Sequence, residues 1–253
     1  MSAIRISRIV RPTDLRCILV DCSYDITLQN LTSRVSMDII KKLDGLIVAD
    51  ADAVVKNLHI FLGKTSPTYI LRVEPEVLRS SDPKANVEET VIKALQMNFS
   101  AIISTFTIGF EDESIDSNNM KLITMLSDVC YDYGLPLIVE SMPFGERVSS
   151  ENYGESVGLA ARMAEEVGAS IVVVPPLKTL EDLKKVRESI KAHMLLIDPS
   201  SKLVVERSLR SLPEILSDAF NIGLNGIVLS SSLALNEPAK ILLDILSTVH
   251  SGG

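Results

Sequence analysis

Asp21, Glu140 and Asp198 each follow a short run of apolar residues, Ile18-Leu19-Val20, Leu137-Ile138-Val139 and Leu195-Leu196-Ile197. Carboxylates brought together at the ends of buried strands need a nearby cation, or one of them must hold a proton. Arg72, which closes Tyr69-Ile70-Leu71, offers that cation; a divalent metal would be another. The catalytic candidates are therefore Asp21, Glu140 and Asp198, acting on a small polar substrate. Other polar residues at strand ends or just beyond are Cys22, Asp50, Asp52, Glu74, Ser104, Thr105, Ser141, Ser230, Ser231 and Ser232. Of these, Ser104, Ser230 and Ser231 join Arg72 as candidate substrate contacts. So do Lys178 and Lys202, each four residues past a strand. The plain alternative for a strand-end aspartate is a helix or loop cap. No metal is expected: no ligand spacing is recognisable, and His59, His193 and His250 read as peripheral.

These residues are positioned by β-branched runs at 17–21, 45–49, 69–72, 101–104, 137–140, 170–174, 194–198 and 226–229. Most are continuously apolar, as parallel strands covered on both faces are. Helical periodicity separates them, around Val87–Leu95 and over 120–133, 153–167, 179–192, 212–222 and 238–249. Gly134 stands where a helix C′ residue belongs and Pro136 follows it. Eight alternations predict an α/β fold of the (β/α)8 TIM-barrel type, with the site at the C-terminal ends of the strands. An open doubly wound sheet is the alternative, but no GxGxxG follows the first strand. One domain over 1–253 is expected, with 251–253 as a disordered tail.

The 253 residues are 46% hydrophobic, enough for a large core, and carry a formal net charge of -8. That balance argues against a nucleic-acid partner, since phosphate contacts need clustered Lys and Arg. With no Trp and 4% aromatics, a base-stacking platform is not expected either. No signal peptide is expected, since residues 1–11 alternate charged and apolar side chains, and no apolar run approaches a membrane span. Cys17, Cys22 and Cys130 match no metal motif and read as reduced thiols of a cytoplasmic protein.

Several stretches resemble the archaeal-type class I fructose-bisphosphate aldolase family, among the DeoC/FbaB/LsrF-like barrels. Ile18–Asp21 (ILVD) resembles its first strand, which continues Asp-His-Gly. Thr107–Glu113 (TIGFEDE) resembles its segment after strand four. Tyr133–Glu146 (YGLPLIVESMPFGE) resembles its fifth strand with a Tyr-Pro-Arg-Gly-Glu tail, and Ala160–Pro175 (AARMAEEVGASIVVVP) its next helix and lysine-bearing strand. The resemblance runs from about Ile18 to His250 with strand order intact. It implies a barrel that joins a lysine amine to a ketose-phosphate carbonyl as a Schiff base, with no cofactor.

The chain departs from that pattern where the chemistry sits. Val173 matches the lysine, Met142 the acid tyrosine, Phe144 the arginine and Cys22 the histidine. The family holds phosphate on glycine-rich turns after strands seven and eight. Here those turns read Asp198-Pro199-Ser200-Ser201-Lys202 and Leu229-Ser230-Ser231-Ser232. Asp198 would repel a phosphate and Pro199 removes an N–H donor. The resemblance thus points to a homologue without Schiff-base activity, with a binding, regulatory or assembly role. The alternative is an active carbon–carbon lyase on a small polar or sugar-phosphate-like substrate, using a relocated lysine or the strand-end carboxylates. The expected partners are a small polar or phosphorylated metabolite and further copies of the chain; no membrane partner is expected.

Overall fold

The apolar runs form β1 (Cys17–Asp21), β2 (Gly45–Val48), β3 (Thr68–Arg72), β4 (Ala101–Ile108), β5 (Leu137–Pro143), β6 (Ile171–Val174), β7 (His193–Ile197) and β8 (Gly226–Leu229). They pair in parallel and in chain order, and β8 closes on β1, as a (β/α)8 barrel requires. The computed structural model describes residues 2–63, 65–74, 82–201, 204, 211–235 and 237–250. Lys202 and the 251–253 tail lie outside the described residues.

Helices follow the strands: α1 (Ser2–Ile6) precedes β1; α2 (Leu28–Arg34) and α3 (Met37–Ile40) lead to β2; α4 (Ala51–Lys56) and α5 (Leu58–Phe61) lead to β3. Then come α6 (Pro83–Gln96), α7 (Glu113–Asp132), α8 (Tyr153–Glu166), α9 (Leu180–Ser189), α10 (Leu212–Asn221), α11 (Ser231–Leu235) and α12 (Pro238–Val249). Side chains that satisfy orphan N–H groups start many of them. Asp50 accepts Ala53 N at 2.7 Å, Asp82 accepts Ala85 N at 3.1 Å and Thr179 accepts Asp182 N at 3.1 Å. Asp50, a strand-end candidate, is thus a helix cap, and Asp52 is exposed in the next turn. Gly134 ends α7 in the left-handed region at φ +67, as its position in the sequence implied.

Strand alternation sorts the core into two layers. Odd-numbered β1 residues face the lumen, so Cys17 and Leu19 pack there with Ile47, Ile70, Ile103, Ile138, Ile171, Val173, Leu195 and Val228. Their neighbours, among them Ile18, Val20, Ile102, Val139, Val172 and Leu196, face the helices. Ile9 and Val10, from the segment before β1, join the lumen cluster. Each such aliphatic contributes about 1.5–3 kcal/mol relative to leaving it in water. The lumen is packed side chain, with the buried ionisable residues Asp21, Arg72 and Glu140 at its C-terminal end.

β4 and β5 run on to Ile108 and Pro143, four and three residues beyond the predicted ends. Their extensions pair with each other, Thr105 opposite Glu140 and Ile108 opposite Pro143. The polar residues there find partners on the neighbouring strand, so polarity does not end the strand.

Closure of the barrel leaves no room at β8. A Cβ added at Gly226, which has φ +156, would lie 1.9 Å from the Cys17 carbonyl oxygen. Gly226→Ala is expected to lower stability by about 3 kcal/mol, because backbone rather than a side chain must move. Urea unfolding checks this: the midpoint should fall, and an unchanged midpoint would contradict the close approach.

Candidate functional site

At the C-terminal end of the lumen, β1, β3 and β5 each contribute one buried ionisable residue: Asp21, Arg72 and Glu140. The guanidinium is almost fully consumed. Nη1 and Nη2 of Arg72 donate to Glu140 Oε2 and Oε1 at 2.7 and 2.9 Å, a two-pronged contact. Nη2 also donates to Asp21 Oδ2 at 2.6 Å, and Nε donates to Ser23 Oγ at 2.8 Å. Thr105 Oγ1 donates to Glu140 Oε2 at 2.9 Å, while the Ser23 hydroxyl and backbone N–H both donate to Asp21 Oδ1.

Tyr24 covers this group. Its ring lies 4.5 Å from the Arg72 guanidinium carbon, a cation–π contact, and its hydroxyl donates to Glu74. Burial foremost holds the Tyr24 phenol above its ordinary value, so it stays protonated. Asp25 accepts a hydrogen bond from the Ser231 hydroxyl. Residues 21–25 therefore tie β1 to β3 and to the loop after β8. The sequence reading assigned no role to Ser23 or Tyr24, which follow the strand end. Their signal lay in position, a hydroxyl and a ring within three residues of Asp21.

Two carboxylates share one cation, and they divide its effect unequally. Burial, aided by Glu140 and opposed by Arg72, raises the Asp21 carboxyl above its ordinary range. Burial also works against ionised Glu140, but the Arg72 charge, its hydrogen bonds and the Thr105 hydroxyl hold Glu140 below its ordinary range. The shared cation thus favours ionised Glu140 more than ionised Asp21.

Asp198 does not join them. Its Oδ1 accepts Ser200 N at 2.8 Å; its Oδ2 accepts Ser230 N at 3.0 Å, Ser232 N at 2.8 Å and the Ser232 hydroxyl at 2.6 Å. It is fully buried and joins the loops after β7 and β8. Ser230 contributes its backbone N–H, and the Ser231 hydroxyl is taken by Asp25. Backbone donors on the turn where the resemblance implies a phosphate are thus bonded to the chain's own carboxylate.

Ser104 sits on the wrong face. Between lumen-facing Ile103 and Thr105 it points to the helix layer, fully buried, and its hydroxyl has no hydrogen-bond partner among the described residues. Thr105 is the strand-four residue that reaches the group, and counting alternate residues from Ile103 identifies it. Cys22 follows Asp21 and likewise faces outward into the helix layer; burial, then Asp21, raises its thiol well above the ordinary value, so no thiolate forms there. Val173 faces the lumen between Glu140 and Leu195 of the flanking strands and is fully buried. Met142 lies in the same cluster, whereas Phe144 is 60% exposed on the β4–β5 extension, edge-on to Phe110. Lys178 is exposed. Among the described residues, no group of three or more His, Cys, Asp or Glu is placed to hold a metal, and no helix is long and apolar enough to cross a membrane.

A family model described as DeoC/LacD family aldolase matches residues 32–230. An uncharacterized aldolase of Saccharolobus solfataricus is 24% identical over 163 residues, 64% of this chain and 58% of that protein. The 2-amino-3,7-dideoxy-D-threo-hept-6-ulosonate synthase 1 of Archaeoglobus fulgidus is 28% identical over 115 residues, 45% of this chain and 42% of that one. The matches therefore span about half the length of these relatives. Among solved structures, an archaeal fructose 1,6-bisphosphate aldolase aligns with a TM-score of 0.76 at 17% identity, over 100% of both chains. Oxaloacetate acetylhydrolase in complex with oxalate aligns at 0.61 with 14% identity, over 95% of this chain and 83% of that one. Such likenesses are of fold, and they cover two different chemistries.

Two outcomes test the geometry. Arg72→Met leaves two buried carboxylates without a counter-charge and is expected to cost about 3–5 kcal/mol, read by urea unfolding at neutral pH. A loss below about 1 kcal/mol would mean the guanidinium is solvated. The second uses pH. Asp21 is raised on folding, so its contribution is complete below its unfolded value near 4 and fades as pH climbs through the folded value. The stability advantage of the wild type over Asp21→Asn should therefore shrink as pH rises above about 4. Growth of that advantage with pH would reverse the assignment.

Proposed function

The chain belongs to the DeoC/LacD family of aldolases, and we propose that it is a member without imine-forming chemistry that acts by binding or assembly. Imine catalysis needs an amine that is neutral and close to a carbonyl, which proteins achieve by desolvating a lysine or placing it beside another cation. Every lysine among the described residues is exposed, and the lumen position that the resemblance gives to the catalytic amine holds Val173.

Three further features support it. The cation of the mouth, Arg72, is bonded to Asp21, Ser23 and Glu140 and has little left to offer a ligand. The turn expected to hold a phosphate bonds Asp198 instead. Met142, at the position of the acid tyrosine, has no proton to give and is buried among aliphatic side chains. These changes act on separate steps, namely nucleophile, acid and substrate anchor, so restoring one leaves the others missing.

The direct test is borohydride reduction of the full chain in the presence of dihydroxyacetone phosphate or fructose 1,6-bisphosphate, followed by intact mass. No adduct is expected. A stable adduct would overturn the reading, and peptide mapping would show whether Lys202 carries it.

A further inference from the structure

The N-terminal end of the barrel, opposite the mouth, carries a pocket of about 330 Å3 lined by Arg11, Lys42, Leu243, Leu246, Ser247 and His250. Arg11 comes from the segment between α1 and β1, Lys42 from the turn between α3 and β2, and the others from α12 and its C-cap. The chain has a formal net charge of -8, yet three basic side chains and no acidic one line this pocket.

One of these charges is balanced locally, since Asp44 pairs with Arg11, and among the described residues Lys42 carries the unpaired one. Asp44 accepts Ile18 N at 2.8 Å and Arg11 Nε at 2.9 Å, which anchors the guanidinium by its inner nitrogen. Among the described residues the two Nη groups of Arg11 have no hydrogen-bond partner, and Lys42 is exposed with no ion pair. A guanidinium bound through Nε alone keeps its outer N–H fork for an anion. His250 is the floor. Its side chain is 10% exposed and neither ring nitrogen makes a hydrogen bond, although Asp44 Oδ2 lies 3.3 Å from Nε2 and Asp14 Oδ2 lies 3.6 Å from Nδ1. Both nitrogens are shut off from solvent and face those two carboxylates, so the ring closes the pocket floor by packing. Leu246 is buried, while Leu243 is half exposed and gives the pocket an apolar wall.

We propose that this pocket binds a small anion with an apolar body. Its carboxylate or phosphoryl head pairs with Arg11 and Lys42, and its hydrocarbon lies on Leu243 and Leu246. An apolar wall with a few convergent polar groups is the general form of a small-molecule site. The site shares no residue with the mouth and does not depend on how the mouth is read.

Calorimetric titration of the full chain with hexanoate and with hexyl phosphate tests it. Saturable binding of at least one is expected, and the tighter of the two identifies the head group. Lys42→Gln, a change on an exposed side chain, should weaken that binding about tenfold, and Leu243→Ser by a few-fold. Phe144→Ser at the opposite end should leave it unchanged. Arg11→Gln should weaken it further, but it also frees Asp44, so the lysine variant decides if that protein is unstable. Absence of saturation with both probes, or affinity indifferent to Lys42→Gln, would overturn the proposal.

Discussion

Everything at the mouth of this barrel depends on the guanidinium of Arg72. It is buried from three strands and a loop at once, with Glu140 on one side, Asp21 on the other, Ser23 at Nε and the Tyr24 ring above. A buried charge of this kind is tolerated only when its hydrogen-bonding geometry is filled. Once it is filled, the same contacts leave the arginine unable to receive a substrate without breaking bonds already made. The same contacts therefore join three strands and a loop and hold the cation within the protein.

Asp198 repeats the logic a few strands away. The loops after β7 and β8 present backbone N–H groups, and donors so arranged suit an anion. The chain provides that anion from the end of β7, so Ser200, Ser230 and Ser232 are satisfied from within. In the lumen between these two polar clusters stand Val173, Ile197 and Met142, aliphatic or thioether groups that neither attack a carbonyl nor move a proton. Packed side chains fill the lumen between the two polar clusters.

The barrel was legible because parallel strands buried on both faces leave continuous β-branched runs, and β1, β8 and α12 lie where those runs and periods place them. What was not legible has physical reasons. The helices α2 to α5 and α11 span too few turns for a period of 3.6 to declare itself. The apolar runs of β4 and β5 stop at Ser104 and Glu140, although pairing between the two strands carries both further. Ser104 and Thr105 both stand at the end of that run, and face alternation puts Thr105, not Ser104, in the lumen. Asp21, Arg72 and Glu140 were correctly expected to share one end of the barrel. The separation of Asp198 from them depends on loop backbone donors, and those have no signature in residue type.

Amide and guanidinium hydrogen exchange at Arg72 tests the central claim most directly, because it reads whether that cation is held by the protein or by water. In a 15N spectrum, assigned with Arg72→Lys, the account requires a resolved Arg72 Nε–H signal whose exchange is slowed far below that of a free arginine. A signal that exchanges as fast as those of exposed arginines would show a solvated, available cation and contradict the account.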